Sequence, residues 1–379
     1  MANNVGIVTI CDYQNYGNRL QNYAAQEVMK SLGCQVNTIV NVQKIGDQNK
    51  GNKNFGELSL IWMNIKNKLW YEMNKTKVIK SRNERIKAFE NFTNEHIIET
   101  DFTLKDTDFN HAQLNKYDYF LVGSDQVWNP NYRYGSPIDF LRFAPKEKRI
   151  AYAPSFGVSS ISDEFVENYR KWILEMESLS VREEAGAQII KDLTGRSAVV
   201  LVDPTLMLSK EKWLSLSKKA KNKPSKKYLL TYFLGVKTKE LKKIIKKIAL
   251  ENDLEVVNLA DIEDLKTYSA DPAEFIDYIN SSSVFLTDSF HGAVFSILLE
   301  KPFIVFNRNG NIPSMNSRID MLLSTFKLLS RKWERINKNV DIFNVNFQHI
   351  PSILEFERKK ALNYLRKALH IEDIILHED

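Results

Sequence analysis

The fold class of this chain follows from a segment near its N-terminus, which reads VGIVTICDYQNYGNRLQNYAAQEVMKSLGCQVNTIV (residues 5–40). The segment opens with a short apolar run, as in a buried strand. After a polar turn, Leu20, Ala24 and Val28 recur at helical spacing. Residues 35–40 then have the pattern of a second strand. Strand, loop, helix and strand in this order predict a parallel sheet with right-handed crossovers.

The same alternation continues along the chain and divides it into two halves. Further strands are predicted at 119–122, 150–153 and 199–202 in the first half, and at 228–233, 254–259, 284–286 and 303–306 in the second. Helical patterns separate most of them. The order predicts an α/β fold of two doubly wound, Rossmann-like domains that face a cleft, and ligands in such sheets lie beyond the carboxyl ends of the strands.

Domain boundaries follow from the order of the elements. We expect a first domain over residues 1–209, with an insertion of two charged helical segments at about 55–96. A lysine-rich linker is expected at 210–227 and a second domain at 228–350. A C-terminal helix is expected within 351–379.

Composition narrows the class of protein. The chain has 379 residues, of which 43% are hydrophobic and 26% are charged, which argues against a disordered or fibrous protein. Its two cysteines, Cys11 and Cys34, cannot form a disulfide framework and are expected to be reduced thiols. No export signal and no long apolar span are visible, so a cytoplasmic location is expected.

The net charge of +6 is concentrated in one region. Fourteen lysines and three glutamates lie between residues 210 and 251. A solvated helix face, a face next to anionic lipid and a nucleic-acid surface all fit such a pattern. No nucleic-acid motif is present, so we expect no nucleic-acid partner. Peripheral contact with an anionic membrane stays open.

Two polar loops follow strands of the predicted first domain. The first contains NYGN (15–18), where Asn18 is expected to cap the next helix. The second reads GSDQVWNP (123–130). There the Asp125 carboxylate and the Trp128 indole suit the hydroxyls and the apolar face of a sugar ring, while a plain turn role for Asp125 is the alternative.

Three more clusters occupy strand ends. APSFG (153–157) supplies small residues and a hydroxyl. In SVRE (180–183), Arg182 can grip a carboxylate or phosphate, or it can pair with the adjacent glutamate. DSFHGA (288–293) joins a strand to a helix, so backbone amides of the helix N-terminus converge near His291 and outline an anion site. A structural role for His291 is the alternative.

Several common site signatures are missing from the sequence. It has no G-x-G-x-x-G after the first strand, no G-x-x-x-x-G-K-[ST], no H-E-x-x-H and no G-x-S-x-G. These gaps argue against ordinary dinucleotide, P-loop, zincin and hydrolase sites. A metal-independent transferase is the class that is left.

Taken together and in this order, the clusters resemble the polysaccharide pyruvyl transferase family. The matching stretches are 6–23, 117–130, 151–157, 180–183, 203–205 and 289–292, followed by 301–303. The resemblance implies a glycosyltransferase-B-like fold. It also implies transfer of the enolpyruvyl unit of phosphoenolpyruvate to two hydroxyls of one sugar, which gives a cyclic pyruvate ketal and phosphate.

Residue roles are expected to follow this reaction. His291 is expected to donate a proton to the departing phosphate or to C3, Arg182 to offset anionic charge, and Asp125 to orient or deprotonate the acceptor. The donor-binding residues are expected to be Ser289, Phe290 and Gly292 together with Arg182. The acceptor-binding residues are expected to be Asn15, Tyr16, Asn18, Gln21, Ser124 and Trp128. The resemblance implies phosphoenolpyruvate as the co-substrate, and no further cofactor and no metal are expected.

Two other functions are compatible with the same architecture. One is a nucleotide-sugar-dependent glycosyltransferase, because a helix N-terminus also holds a diphosphate. The other is a glycan-binding protein that has kept the fold without catalysis. In the favoured reading the partner is a sugar or a lipid-linked oligosaccharide, at the inner face of a membrane if the lysines contact lipid.

Overall fold

The computed structural model describes residues 2–42, 65–106, 108–109, 112–308, 316–336 and 342–371. The first half contains a five-stranded sheet with strand order β3-β2-β1-β4-β5 and a small sheet of β6 and β7. Its strands are β1 (Asn4–Val8), β2 (Gln35–Val42), β3 (Glu99–Lys105), β4 (Tyr119–Val122), β5 (Arg149–Ala151), β6 (Ser180–Val181) and β7 (Val199–Val200). Every strand pair in these two sheets is parallel.

Helices flank the first sheet and lead out of the first half. They are α1 (Tyr16–Ser31), α2 (Ile65–His96), α3 (Pro130–Arg133), α4 (Asp163–Leu174), α5 (Glu184–Thr194) and α6 (Lys210–Leu216). Apolar side chains of α1, such as Ala25 and Val28, pack against Val5 and Ile7 of the central strand. This is the strand–helix unit that the opening segment predicts.

The second half contains a four-stranded parallel sheet in the order β11-β10-β8-β9. Its strands are β8 (Tyr228–Tyr232), β9 (Glu255–Leu259), β10 (Val284–Thr287) and β11 (Phe303–Val305). Its helices are α7 (Lys239–Glu251), α8 (Pro272–Ser281), α9 (Phe290–Leu298) and α10 (Asn316–Thr325), followed by the terminal helix α11 (Ile350–Ala368). The predicted fold class, two doubly wound α/β domains, is confirmed.

Two elements of the first half differ from the sequence-based expectation. Strand β3 was not predicted; it is an edge strand that pairs only with β2, and it buries only Phe102 and Leu104, so its apolar signal is weak. The predicted insertion of two helical segments contains one uninterrupted helix of 32 residues, α2. Residues 55–64 of that insertion lie outside the described residues.

The lysine-rich segment 210–227 packs against both halves of the molecule. Trp213 of α6 is fully buried, with its ring centroid 5.7 Å from that of Tyr23 and 4.9 Å from that of Phe295. Tyr23 belongs to α1 and Phe295 to α9. The segment is therefore part of the core between the domains as well as a connection.

The terminal helix α11 returns to the first domain. Its Ala361 and Leu365 are buried beside Val5 of the central strand. Arg358 donates hydrogen bonds to two carbonyl oxygens, from Nε to Leu206 at 2.7 Å and from Nη2 to Leu208 at 2.6 Å. Among the described residues, no helix combines the length and the hydropathy of a membrane-spanning segment.

Helix α2 joins the two domains through one arginine. Nη1 of Arg85 donates to the hydroxyl of Tyr16 and to the carbonyl oxygen of Tyr268, both at 2.8 Å, and Nη2 donates to the carbonyl oxygen of Gln14. The Tyr16 ring in turn stacks on Phe275 of the second domain at 4.5 Å. These contacts hold the N-terminus of α1 against the second domain.

Candidate active site

Asp203, which follows β7, lies at the centre of the candidate site and is almost completely buried. Its Oδ2 accepts hydrogen bonds from Oγ of Ser124 at 2.6 Å and from Nη1 of Arg182 at 2.8 Å. Its Oδ1 accepts from the backbone N–H and the hydroxyl of Thr205. The loops after β4, β6 and β7 are thus held together by one carboxylate.

His291 reaches the same carboxylate from the second domain. Its Nε2 lies 3.7 Å from Oδ2 of Asp203 and has no hydrogen-bond partner among the described residues. The other side of the imidazole packs on Gly17 of α1, where a Cβ would lie 2.0 Å from Nδ1. The imidazole ring therefore lies between Gly17 of α1 and Asp203.

The charge state of Asp203 follows from its surroundings. Burial by itself would raise the pKa of this carboxyl. The positive charges of His291 and Arg182 and the hydrogen bond from Ser124 outweigh burial, and they hold the pKa of Asp203 far below its ordinary value of 3.8. The site therefore contains a permanently ionised carboxylate near neutral pH.

Asp203 accepts a hydrogen bond from only one of the three guanidinium nitrogens of Arg182. Its Nε and Nη2 make no hydrogen bond to any described residue, and Oε2 of Glu183 lies 4.0 Å from Nε. Oε1 of Glu183 instead accepts from the hydroxyl of Ser155 and from the amides of the 153–157 loop. The guanidinium lies over the Phe290 ring at 4.5 Å. Asp203, rather than the adjacent glutamate, is the close partner of Arg182.

Asp125 lies at a half-buried position at the end of β4. Its backbone has a positive φ of 74°, a left-handed conformation that is uncommon for non-glycine residues and worth a functional explanation. Oδ2 accepts a hydrogen bond from Nδ2 of Asn18 at 3.2 Å, and Oδ1 accepts from the Gln126 amide. Asn18 therefore links α1 to the predicted acceptor loop.

The N-cap of α1 is Asn15, and the prediction of Asn18 in that role is wrong. The helix begins at Tyr16, and the side chain of Asn15 accepts a hydrogen bond from the Asn18 amide at 3.2 Å. The Asn18 side chain is occupied by the amide of Asp12 and by Arg19 as well as by Asp125. An N-cap needs a free side-chain acceptor outside the helix, and only Asn15 has one.

Five of the six residues predicted to contact the acceptor lie in the interior, and one of them is Asn18, which is 1% exposed and bonds to protein groups. Trp128 stacks on Phe140 with ring centroids 5.1 Å apart, and its Nε1 donates to the carbonyl oxygen of Asp139. A fully buried indole cannot stack on a sugar, so we correct that assignment. Tyr16, Gln21 and Ser124 are also fully buried and bond to protein groups, so the structure does not present them to a ligand either.

Tyr132 is an exposed aromatic residue four positions after Trp128. It follows in the same loop, on α3, and 43% of it is exposed. Burial of the rest of the residue and the negative charges of Asp12 and Asp125 raise the pKa of its hydroxyl. An exposed aromatic face therefore accompanies Asp125, although the sequence pointed to a different ring.

The start of α9 uses two predicted donor residues for its own geometry. The Ser289 hydroxyl accepts a hydrogen bond from the Gly292 amide at 3.2 Å, which is an N-cap. A Cβ at Gly292 would lie 2.7 Å from Oγ1 of Thr287, so glycine lets the helix pack on β10. Phe290 and Arg182 of the predicted donor set line a cavity of about 170 Å³.

The sequence also matches the model of a known protein family. The family described as polysaccharide pyruvyl transferase matches residues 15–310. The chain belongs to this family. The matched range includes Asn15, Asp125, Arg182, Asp203 and His291.

Solved structures similar to this pyruvyl transferase family member match it at low sequence identity. The S. aureus MnaA–UDP co-structure is 11% identical, covers 98% of each chain and has a TM-score of 0.47. A UDP-N-acetylglucosamine 2-epimerase from Rickettsia bellii is 11% identical, covers 98% of each chain and has a TM-score of 0.48. The glycosyltransferase SnogD from Streptomyces nogalater is 11% identical, with coverages of 98% and 96% and a TM-score of 0.30. No curated relative matches the chain.

Two residues of the candidate site had no predicted role. Asp203 lies in one of the stretches that resemble the family, and its position after a strand was the available signal. Arg318 lies on α10, outside the matched range, and no sequence signal singled it out. Both line a cavity of about 170 Å³ with Arg182 and Phe290. In the described part of the chain, no cluster of His, Cys, Asp or Glu side chains is arranged for a metal ion.

Proposed function

We propose that this family member transfers the enolpyruvyl unit of phosphoenolpyruvate to two hydroxyls of one sugar, forming a cyclic pyruvate ketal and releasing phosphate. The sugar would belong to a polysaccharide or a lipid-linked glycan precursor. The observation that supports this most is the pair of buried nitrogens, Nη2 of Arg182 and Nε2 of His291, which have no hydrogen-bond partner among the described residues. Unpaired buried donors cost free energy, and an anionic ligand would satisfy them.

The protons gained and lost in the proposed reaction balance. C3 of phosphoenolpyruvate gains a proton, one sugar hydroxyl adds to C2, phosphate leaves, and the second hydroxyl closes the ring. The two protons lost by the hydroxyls balance the one gained at C3 and the one that leaves with phosphate. His291 would supply the proton to C3 or to the phosphate. Asp203, ionised and 3.7 Å from Nε2, would orient the imidazole.

The acceptor side of the proposal rests on the loop after β4. Asp125 is half-buried, and its carboxylate is oriented by Asn18, so it can accept a proton from a sugar hydroxyl. Tyr132 would provide the aromatic face against which the sugar ring packs. Asn15, which is partly exposed at the start of α1, would contact the sugar from the other side.

The proposal also places the enzyme at the inner face of a membrane. Exposed lysines of α7, including Lys239, Lys243 and Lys246, lie near two highly exposed apolar residues. These are Val236, 78% exposed, and Leu250, 71% exposed. Basic side chains with exposed apolar neighbours suit a surface of anionic lipid.

The test is incubation of the full chain with phosphoenolpyruvate and a panel of methyl hexosides. We expect phosphate release that depends on the sugar, with a ketal product visible by mass spectrometry. Asp125→Asn shows whether the activity belongs to this site, because its turnover should be lower by about 10²- to 10⁴-fold. Release of nucleotide from a sugar nucleotide would support a glycosyltransferase instead. Glycan binding without turnover of either donor would support a binding protein.

A further inference from the structure

A second arginine lies on the same aromatic ring as Arg182. Cζ of Arg318 is 5.9 Å from the centroid of Phe290, and Cζ of Arg182 is 4.5 Å from it. Arg182 belongs to the first domain, whereas Phe290 and Arg318 belong to the second. All three line the cavity of about 170 Å³. The cavity therefore has one guanidinium from each domain.

Arg318 lacks the counter-charge that a buried arginine normally has. Only 5% of the residue is exposed, and its Nε has no hydrogen-bond partner among the described residues. No carboxylate of the described chain forms an ion pair with it, whereas Asp203 pairs with Arg182 at 2.8 Å. Buried charges in proteins are normally paired.

This arrangement has an electrostatic cost for the charged form of Arg318. Burial, and next the positive charge of Arg182, lower its pKa to about 9. The negative charges of Glu183 and Asp125 offset this only in part. An anion bound between the two guanidinium groups would remove their repulsion.

We infer that Arg318 is the second cationic group of the donor site, and that with Arg182 it holds a small ligand bearing two adjacent anionic groups. The inference deepens the proposed function and rests on it for the identity of the donor. In phosphoenolpyruvate the carboxylate and the phosphate ester share one carbon, C2, so both are presented on the same side of the molecule. Each guanidinium could take one of them, with Phe290 beneath.

The inference predicts that one substitution of Arg318 affects stability and ligand binding in opposite directions. Replacing Arg318 by glutamine removes an unpaired buried charge, so the ligand-free protein should melt at the same temperature as the parent or higher. The same change should weaken phosphoenolpyruvate binding by about 10- to 100-fold. A purely structural arginine would show the reverse pattern of lower stability and unchanged binding.

Calorimetry of the full chain measures the ligand affinity, and thermal melting measures the stability. The parent, Arg318→Gln and the exposed control Arg335→Gln are titrated with phosphoenolpyruvate, inorganic phosphate and UDP. We expect the parent and the control to bind phosphoenolpyruvate more tightly than phosphate, and Arg318→Gln to bind both about equally. Arg318→Lys should recover part of the affinity, because it restores charge without the planar fork.

The outcomes separate this inference from the proposed function. Parental phosphoenolpyruvate affinity in Arg318→Gln, or a melting temperature well below that of the parent, would overturn the inference alone. If the parent binds UDP but not phosphoenolpyruvate, and Arg318→Gln loses UDP, the two-anion site stands and the proposed donor is wrong. If the parent binds none of the three anions, both fail.

Discussion

The imidazole of His291 packs directly on the Cα of Gly17, so the two domains touch at the candidate catalytic residue. A Cβ at residue 17 would lie 2.0 Å from Nδ1 and 2.4 Å from Cγ of His291. Real Cβ atoms do not approach other atoms so closely. Gly17 therefore leaves the space that the imidazole needs beside Asp203.

The first prediction concerns this contact. Gly17→Ala should lower the free energy of unfolding by about 1–3 kcal/mol, the usual effect of overpacking, and should lower turnover as the imidazole shifts. In a His291→Gly background the clash is gone, because His291 Cβ, which would lie 2.8 Å from the new methyl group, is removed with the ring. There the same change should be neutral or stabilising by up to about 1 kcal/mol, because alanine is the better helix residue. Urea unfolding of the four proteins measures the coupling. Equal losses in both backgrounds would show that the contact is unimportant.

The second prediction concerns the pH dependence of stability. Because the folded-state pKa of Asp203 lies far below 3.8, the ionised carboxylate stabilises the folded protein. This contribution is complete above the unfolded-state pKa and is lost as the pH falls towards the folded-state value. Asp203→Asn removes it. Parent and variant should therefore differ by a constant free energy of unfolding above about pH 5, and the difference should shrink below about pH 4.

Urea unfolding measured over a pH range that extends below about pH 4 and above about pH 5 checks this dependence. The exposed Asp192→Asn is the control. The control should differ little from the parent at any pH. A gap between parent and Asp203→Asn that widens on acidification would contradict the assigned charge state.

The third prediction separates the roles of His291 and Arg182. His291→Gln keeps a hydrogen-bond donor without an acid near neutral pH, so phosphoenolpyruvate should still bind while turnover falls by about 100-fold or more. Arg182→Lys keeps the charge and loses the fork, so binding should weaken by about 1.5–3 kcal/mol. Calorimetry and phosphate release measure the two effects, with the exposed His370→Gln as the control. If both variants bind and react like the parent, these residue roles are wrong.

The fourth prediction concerns the aromatic face beside Asp125. Tyr132→Ala should raise the KM for the sugar by up to about 10-fold, the effect of roughly 0.5–1.5 kcal/mol of aromatic packing, with little change in phosphoenolpyruvate affinity. Tyr134→Ala is a matched control, since it removes an even more exposed tyrosine, 64% exposed, two residues further along. Steady-state kinetics at saturating phosphoenolpyruvate compare them. An equal effect of both variants would remove Tyr132 from the acceptor site.

The fifth prediction concerns the basic face of α7. The chain should bind vesicles of anionic lipid and not neutral vesicles, and binding should weaken as salt screens charges over about 8 Å at physiological ionic strength. Lys243→Glu with Lys246→Glu should abolish it. Lys77→Glu with Lys80→Glu makes the same charge change on exposed positions of α2 and should have little effect. Equal sedimentation with neutral vesicles would show that these lysines are only a solvated surface.

The sequence by itself determined the alternation of strands and helices, the parallel sheets and the family. Hydrophobic periodicity and strand-end loops depend on neighbouring residues, so they are visible in a linear chain. The site clusters at Asp125, Arg182 and His291 were recognisable for the same reason, because each is a short motif after a buried strand.

Only the tertiary structure decided how these loops pair and which side chains a ligand can reach. The partners of Asp203 come from loops 21 to 88 residues away along the chain, at Arg182, Ser124 and His291. Burial of Trp128 and exposure of Tyr132 likewise depend on which surface covers the loop. Compensation of buried charge is a property of the assembled interior, where partners are set by packing rather than by sequence distance.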